Sequence, residues 1–159
     1  MHSATSRDAL LRSPRMDLLR HLAFTLAGAG RHAEAAWHAA RACELKPYDP
    51  RTWSDRGCVH HMLGDLRVAM IHYWTAIEVE RDFAVAWHNL GVTLVRMGDT
   101  RGAVRALRNA FLLEGRPDTC LALGRLLADS GLVDAALASF ARAEELTSEL
   151  TARQGTQLS

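Results

Sequence analysis

The sequence repeats itself with a period of about 34 residues, and this period constrains the fold more than any other feature of the chain. Three columns of small residues recur with this period. In all three, the spacing before the last copy is one residue shorter than the others. The columns are Gly30, Gly64, Gly98 and Gly131; Ala35, Ala69, Ala103 and Ala136; and Ala42, Ala76, Ala110 and Ala143. Because the columns share this shortening, we interpret them as four copies of one supersecondary element, which buries its apolar face by stacking on its neighbours.

Each copy is predicted to be two helices joined by a tight turn. Apolar residues recur at spacings of three and four through both halves of each copy, which is the helical period. Glycine at the turn fits the left-handed conformation that ends a helix. Small residues in the first helix are expected to allow close approach to the alanine column that begins at Ala35; they are Ala23, Gly57, Gly91 and Gly124. The predicted fold class is therefore all-α.

Further positions resemble the tetratricopeptide repeat (TPR) family. Trp53 and Trp87 stand one period apart, each is followed by glycine at the fourth position after it, and Pro47 ends the first copy. The third copy matches the family pattern best, through Trp87, Leu90, Gly91, Leu94, Gly98, Ala103, Leu107 and Ala110. The resemblance covers residues 16–149 and implies a right-handed α-α superhelix of four helix-turn-helix repeats, with the first helices on the concave side.

The predicted boundaries follow from the same columns. The four repeats are 16–49, 50–83, 84–116 and 117–149, preceded by a tail or short extra helix over 1–15 and followed by a mobile tail over 150–159. The column expected to pack against the next repeat contains Cys43, Ile77, Phe111 and Glu144. A charged residue in the last position predicts that no fifth repeat follows.

Charge and hydropathy exclude several classes of function. Lys and Arg number 19 against 18 Asp and Glu, a net charge of +1, whereas nucleic-acid binders usually carry a basic excess. No run of about 18 apolar residues is present, so no membrane insertion is expected. The short apolar patch near the N-terminus is not a secretory signal, and three dispersed cysteines indicate a reducing compartment. The expected location is cytoplasmic.

Neither catalysis nor a cofactor is expected, because the chain lacks G-x-S-x-G, P-loop and G-x-G-x-x-G motifs. Cys58 and His61 lie three positions apart and could mimic a nucleophile and its base, but without an orienting acid a buried thiol is the favoured interpretation. His38 and His72 share a column and could stack. No histidine has the spacing of a metal ligand set, so no metal site is predicted.

The TPR resemblance implies that the concave groove holds a peptide or helix of a partner protein. Asn89 lies two positions after Trp87, where many family members carry an asparagine that holds the backbone of the bound peptide. His21, Asp55 and Ala122 occupy the equivalent positions, so the asparagine ladder is not continued. The simpler alternative for Asn89 is an exposed polar residue beside a structural tryptophan.

The carboxylate clamp of the family is incomplete, since only Arg20 could stand in for one of its members. We therefore do not expect a chaperone-tail ligand of the EEVD type. The predicted groove combines cations, an amide and apolar anchors on the four first helices: Arg20, Phe24, Arg51, Ser54, Asp55, Cys58, His61, Met62, His88, Asn89, Val92, Arg96, Leu121, Arg125 and Asp129.

Three apolar residues of the second helices fall in columns that normally face water: Trp37, Ile71 and Trp74. Such a patch favours self-association or docking of the N-terminal segment. Packing by the chain's own tail is the simpler alternative.

A row of arginines follows on the second helix of the third repeat, at Arg101, Arg105 and Arg108. The balanced net charge favours a solvated convex face, and an acidic partner is the alternative.

A narrower resemblance concerns the end of the first repeat. Cys43-x-Leu45-x-x-Tyr48-Asp49-x-Arg51, together with Leu22-Ala23-Phe24 ahead of Gly30, is similar to TPR-built chaperones of type III secretion translocators in Gram-negative bacteria. It implies a small, often dimeric cytosolic protein that holds a translocator segment. The expected function is thus a protein-protein interaction module, with a bacterial chaperone or adaptor as its specific form. The alternative is a scaffold that oligomerises through its convex face, for example as a homodimer.

Overall fold

The computed structural model describes residues 14–156, and within that range every regular element is an α-helix. The helices are α1 (Pro14–Gly28), α2 (His32–Leu45), α3 (Pro50–Met62), α4 (Leu66–Val79), α5 (Ala84–Met97), α6 (Thr100–Glu114), α7 (Pro117–Asp129) and α8 (Val133–Thr156). The chain divides into two compact halves, 1–79 and 80–159. The described part of the N-terminal half contains α1–α4, and that of the C-terminal half contains α5–α8. The all-α prediction is confirmed.

The turn inside each hairpin is made by a glycine in the left-handed conformation. The φ angles of Gly30, Gly64, Gly98 and Gly131 are 74°, 83°, 81° and 76°. A Cβ at Gly64, Gly98 or Gly131 would meet no atom within 4 Å, so the positive φ alone favours glycine there. The predicted helix-ending role of this column is confirmed.

Side-chain hydrogen bonds secure the starts of the helices. Asp49 accepts a hydrogen bond from the backbone N–H of Arg51 at 3.0 Å, next to the first-turn proline of α3. The indole Nε1 of Trp53 donates to the Pro47 carbonyl at 2.8 Å, and that of Trp87 donates to the Arg81 carbonyl at 2.8 Å. Each tryptophan thereby holds the loop that leads into its own helix.

Close approach of the paired helices depends on matched side-chain sizes. A Cβ on Gly57 would lie 2.6 Å from Tyr73 Cε1, and one on Gly124 would lie 2.6 Å from Phe140 Cε1. The nearest atoms therefore belong to a column of large residues, whereas the sequence prediction placed the small residues against the alanine column. The first repeat reverses the sizes and has Ala23 where the others have glycine and Ala39 where the others have a large residue.

Within the N-terminal half α1 packs against α2 and α3, and α3 packs against both α2 and α4. Its core is rich in small residues and contains Ala23, Leu26, Ala27, Ala35, Ala39 and Val59. Within the C-terminal half α5 packs on α6 and α7, and α7 packs on α6 and α8. First helices thus neighbour first helices in each half, and this arrangement positions the candidate site.

Of the two predicted tails, the structure describes mainly the C-terminal one. Helix α8 continues to Thr156, beyond the boundary expected at 149, so residues 150–156 extend the last helix. Helix α1 begins at Pro14. The predicted tail or extra helix over 1–15 lies outside the described residues except for its last two positions, and 157–159 lie outside them too.

Candidate protein-binding face

In the N-terminal half, α1 and α3 form a cavity of about 270 Å³. Three residues that the sequence predicts for the groove line it: Arg20 from α1, and Arg51 and Asp55 from α3. The other lining residues are Met16, Asp17, Asp49 and Thr52. The α1–α2 and α3–α4 hairpins supply one wall each, because their first helices lie side by side.

The charges in this cavity are paired internally. Arg20 Nη2 donates to Asp55 Oδ1 at 3.3 Å, and Arg20 Nε also pairs with the Asp55 carboxylate. Arg51 Nε lies 3.4 Å from Asp49 Oδ1. Burial raises the pKa of Asp55, and Arg20 acts in the opposite direction. Arg20 is therefore already paired with an internal carboxylate, and its remaining N–H groups are the ones left for a ligand.

The remaining predicted groove residues of this half differ in accessibility. Met62 is 51% exposed, His61 is half-buried, and Phe24 is half-buried against the apolar core. Ser54 is 3% exposed, so its predicted place on the groove surface is wrong. Phe24 is mainly a packing residue, because its neighbours in the core are apolar side chains of α1–α3.

Cys58 lies beside Tyr73, whose Oη is 3.5 Å from the Cys58 Sγ. Burial raises the pKa of this thiol above its usual value, which disfavours the reactive thiolate. The arrangement supports the interpretation of Cys58 as a packed thiol.

In the C-terminal half a hydrogen bond joins the two first helices. His88 Nδ1 of α5 lies 2.9 Å from Thr119 Oγ1 of α7, and Thr119 is 1% exposed. Burial lowers the pKa of His88, and Asp118 acts against that shift. The sequence analysis missed Thr119. The available signal was its column, since Thr52 stands at the same position of the second repeat and is also buried.

The other predicted groove residues of this half lie on α5 and α7, and they differ in burial. Asn89 and Val92 are half-buried. The exposed residues are Arg96, Leu121, Arg125 and Asp129. This half therefore offers an amide and two guanidinium groups beside apolar surface.

A cluster of rings and one guanidinium lies between α3 and α4. The His72 ring centroid is 5.3 Å from that of His60 and 5.9 Å from that of Trp53, and the Arg56 guanidinium lies 6.0 Å from the Trp53 centroid. Burial, with Arg56 and His60 adding to it, lowers the pKa of His72 to about 4. The ring contacts of His72 are with α3, so the suggested stacking on His38 does not occur.

Trp37, Ile71 and Trp74, which we call the aromatic patch, lie on α2 and α4. They are 61%, 58% and 43% exposed. All three therefore present apolar surface to solvent in the single chain, as their columns predicted.

The described part of the chain contains neither a metal-binding cluster nor a membrane-spanning helix. Among residues 14–156, no three His, Cys, Asp or Glu side chains come together in a way that could hold a metal ion. None of the helices in that range has the length and apolar character needed to cross a membrane.

The chain is similar in sequence to a known repeat protein. Tetratricopeptide repeat protein 36 of Danio rerio is 40% identical over 101 residues, which cover 60% of this chain and 54% of the relative. The chain thus spans about half the length of the curated relative that it matches. No family model matches the chain.

Solved structures share the fold. A crystal structure of MamA superposes with a TM-score of 0.74 at 20% identity, covering 91% of this chain and 86% of that one. The first TPR of Spaghetti (RPAP3), bound to the HSP90 peptide SRMEEVD, superposes with a TM-score of 0.67 at 17% identity, covering 75% and 98%. With the repeat columns and the helical hairpins, these likenesses show a helical-repeat fold similar to that of tetratricopeptide repeat proteins.

Proposed function

We propose that the chain is a protein-protein interaction module that binds a peptide or helix of a partner on the faces of its first helices. The observation that carries the proposal is the cavity between α1 and α3, where two arginines and three aspartates surround an opening of about 270 Å³. The likeness to the peptide-bound TPR of Spaghetti supports this use of the fold. As a binding module, the chain is proposed to act without turnover.

The chemistry of each half suits an extended segment. In the N-terminal half, the carboxylates of Asp49 and Asp55 can accept hydrogen bonds from backbone N–H groups, and the half-exposed guanidinium groups of Arg20 and Arg51 can donate to carbonyls. The exposed thioether of Met62 adds apolar surface. In the C-terminal half, Asn89 offers both a donor and an acceptor. Polar groups would then set the register of the segment, and apolar contacts would supply most of the affinity.

Asn89→Ala and Arg125→Ala are each expected to weaken binding by about 0.5–1.5 kcal/mol, because each removes a polar contact to the bound segment. The ligand for this measurement is a peptide selected on the wild-type chain from a displayed random library. Fluorescence polarisation gives the dissociation constants. Asn109→Ala on α6 and Arg81→Ala are matched controls, since both residues are exposed and lie outside the proposed groove.

The peptide SRMEEVD serves as a competitor and is expected not to displace the selected peptide, because only Arg20 could stand in for a member of the carboxylate clamp. If both groove variants bind unchanged while substitutions in the aromatic patch abolish binding, the first helices are not the binding site.

A more specific form of the proposal is a bacterial chaperone or adaptor, as the type III secretion resemblance implies. A chaperone of that kind keeps an otherwise insoluble translocator segment in solution. Co-expression with a translocator segment distinguishes this role, since a chaperone raises the soluble fraction of the segment and a generic adaptor does not.

The aromatic patch favours a second candidate, a scaffold that self-associates through its convex face. Two half-exposed tryptophans and an isoleucine leave a large apolar surface in water. Burial of each side chain against a second copy would contribute roughly 1.5–3 kcal/mol. The homodimer is the simplest assembly that would supply this burial.

Trp37→Ser combined with Trp74→Ser is expected to shift the protein to monomer while leaving helix content unchanged, because both side chains are exposed within the chain. Sedimentation velocity over a range of concentrations gives the association state, and circular dichroism gives the helix content. Met62→Ser is the control, as it removes an exposed apolar side chain from α3 instead. A deletion of residues 1–12 tests the alternative that the tail covers the patch. If the wild type is a monomer at high concentration and the deletion has no effect, both self-association through the patch and its coverage by the tail are contradicted.

A further inference from the structure

One face of α6 carries three exposed arginines at Arg101, Arg105 and Arg108. Spacings of four and three residues place them on the same face of the helix, and they span about 10 Å along its axis. We call them the arginine row. The opposite face of α6 is the packed one and contains Ala103, Ala106, Leu107 and Ala110.

The arginine row holds three neighbouring cations with no acid between them in the sequence. Ion pairs with Asp or Glu engage several arginines elsewhere, among them Arg20, Arg31, Arg41, Arg51, Arg116 and Arg142. None of the three row arginines has an ion pair or side-chain hydrogen bond within residues 14–156. The first turn of α6 contains no acid, and Glu114 lies at its far end.

Helix stability does not account for the row. Arg101 lies in the first turn of α6, where the helix dipole disfavours a cation. Arg101 and Arg105 are also like charges at a spacing of four, which repel. Asp99, the N-cap of α6, offsets part of the first effect. The repulsion between Arg101 and Arg105 remains, and an anionic partner would relieve it.

An apolar side chain continues the row. Leu112 lies at the fourth position after Arg108 on the same face and is 78% exposed. Three cations followed by one apolar residue match a helix with carboxylates at the same spacings and an apolar residue at one end. A long polyanion would use the cations and leave Leu112 in water, and the net charge of +1 gives it little further attraction.

We propose that this face of α6 docks an acidic amphipathic helix of a partner protein. Carboxylates of that helix lie opposite the arginine row, and its apolar residue covers Leu112. The site is separate from the first-helix face and from the aromatic patch, so both proposals above can fail without affecting it.

The test uses the full chain and a synthetic helical probe of about 20 residues. The probe carries glutamates at spacings of four and three, followed at the fourth position by leucine. A second probe has the same composition in scrambled order. R101E/R105E/R108E is expected to weaken binding of the ordered probe about tenfold at low salt, since it replaces three attractions with repulsions. Leu112→Ser is expected to weaken it severalfold, independently of salt.

R15E/R67E/R81E is the matched control, because it makes the same charge change at exposed arginines outside the row. Thermal unfolding checks the fold, and R101E/R105E/R108E should melt close to the wild type, because all three side chains are exposed. Equal binding of the scrambled probe, or equal weakening by the control variant, would overturn the proposal. Tighter binding of a DNA duplex or of phosphatidylserine vesicles than of the ordered probe would overturn it as well.

Discussion

Gly91→Ala is expected to destabilise the chain by about 1–3 kcal/mol, because the new methyl group has no space. Its carbon would lie 2.6 Å from Leu107 Cγ and 3.3 Å from the Leu107 backbone nitrogen. Leu107 is fully buried, so its side chain has little room to move, and the contact with its backbone nitrogen is tighter than an ordinary van der Waals contact. The free energy of unfolding, measured by urea denaturation, gives the effect.

A control and a rescue variant make this prediction specific. Gly28→Ala introduces the same methyl group where no atom lies within 4 Å, so the clash is absent and no comparable loss is expected. Leu107→Ala alone should cost about 2–5 kcal/mol through the cavity it creates. The double variant should lose less than the sum of the two, because the first repeat already combines Ala23 with Ala39. A Gly91→Ala protein as stable as the wild type would show that the contact is not tight.

Lowering the pH from 6.5 towards 4 is expected to reduce stability through His72. The unfolded chain takes up a proton near pH 6.5, whereas burial among Trp53, His60 and Arg56 lowers the native pKa and keeps the imidazole neutral until about pH 4. The unfolded state therefore binds more protons over this range, and the free energy of unfolding falls as the pH falls. The loss due to His72 is up to about 3 kcal/mol and is complete below its native pKa.

His72→Gln removes this titration, so its stability should depend less on pH between 6.5 and 4 than that of the wild type. Urea denaturation at a series of pH values measures the difference. His88, whose pKa burial also lowers, leaves a residual dependence in the same direction. His32→Gln is the control, because that residue is exposed. Parallel curves for His72→Gln and the wild type would contradict the prediction.

The fold could be predicted almost entirely from the columns of repeated residues. Gly64 and Gly98 marked the turns because a left-handed residue at a fixed place in each hairpin demands glycine wherever it recurs. Trp53 and Trp87 marked the first helices because each one bonds to its own entry loop. These requirements are local, so they leave a periodic trace in the chain.

The candidate site was predicted less completely, because its side chains compete for partners. Arg20 was expected in the groove, and its pairing with Asp55, 35 residues away, was not predicted. Ser54 was placed in the groove by its helical position and is buried instead. Sequence position gives the face of a helix approximately, whereas accessibility depends on the neighbours that the face meets.

Spacing along the chain was enough to establish the number of repeats, the helical hairpin, the turns and the exposed aromatic patch, because each depends on positions within one repeat or on a column shared by several. The packed helices were needed to show that Gly91 meets Leu107, that His72 lies against His60, and that His88 bonds to Thr119. Such pairs depend on distances between neighbouring helices, where a small difference in separation selects one partner over another. The repeat period does not determine these distances between helices.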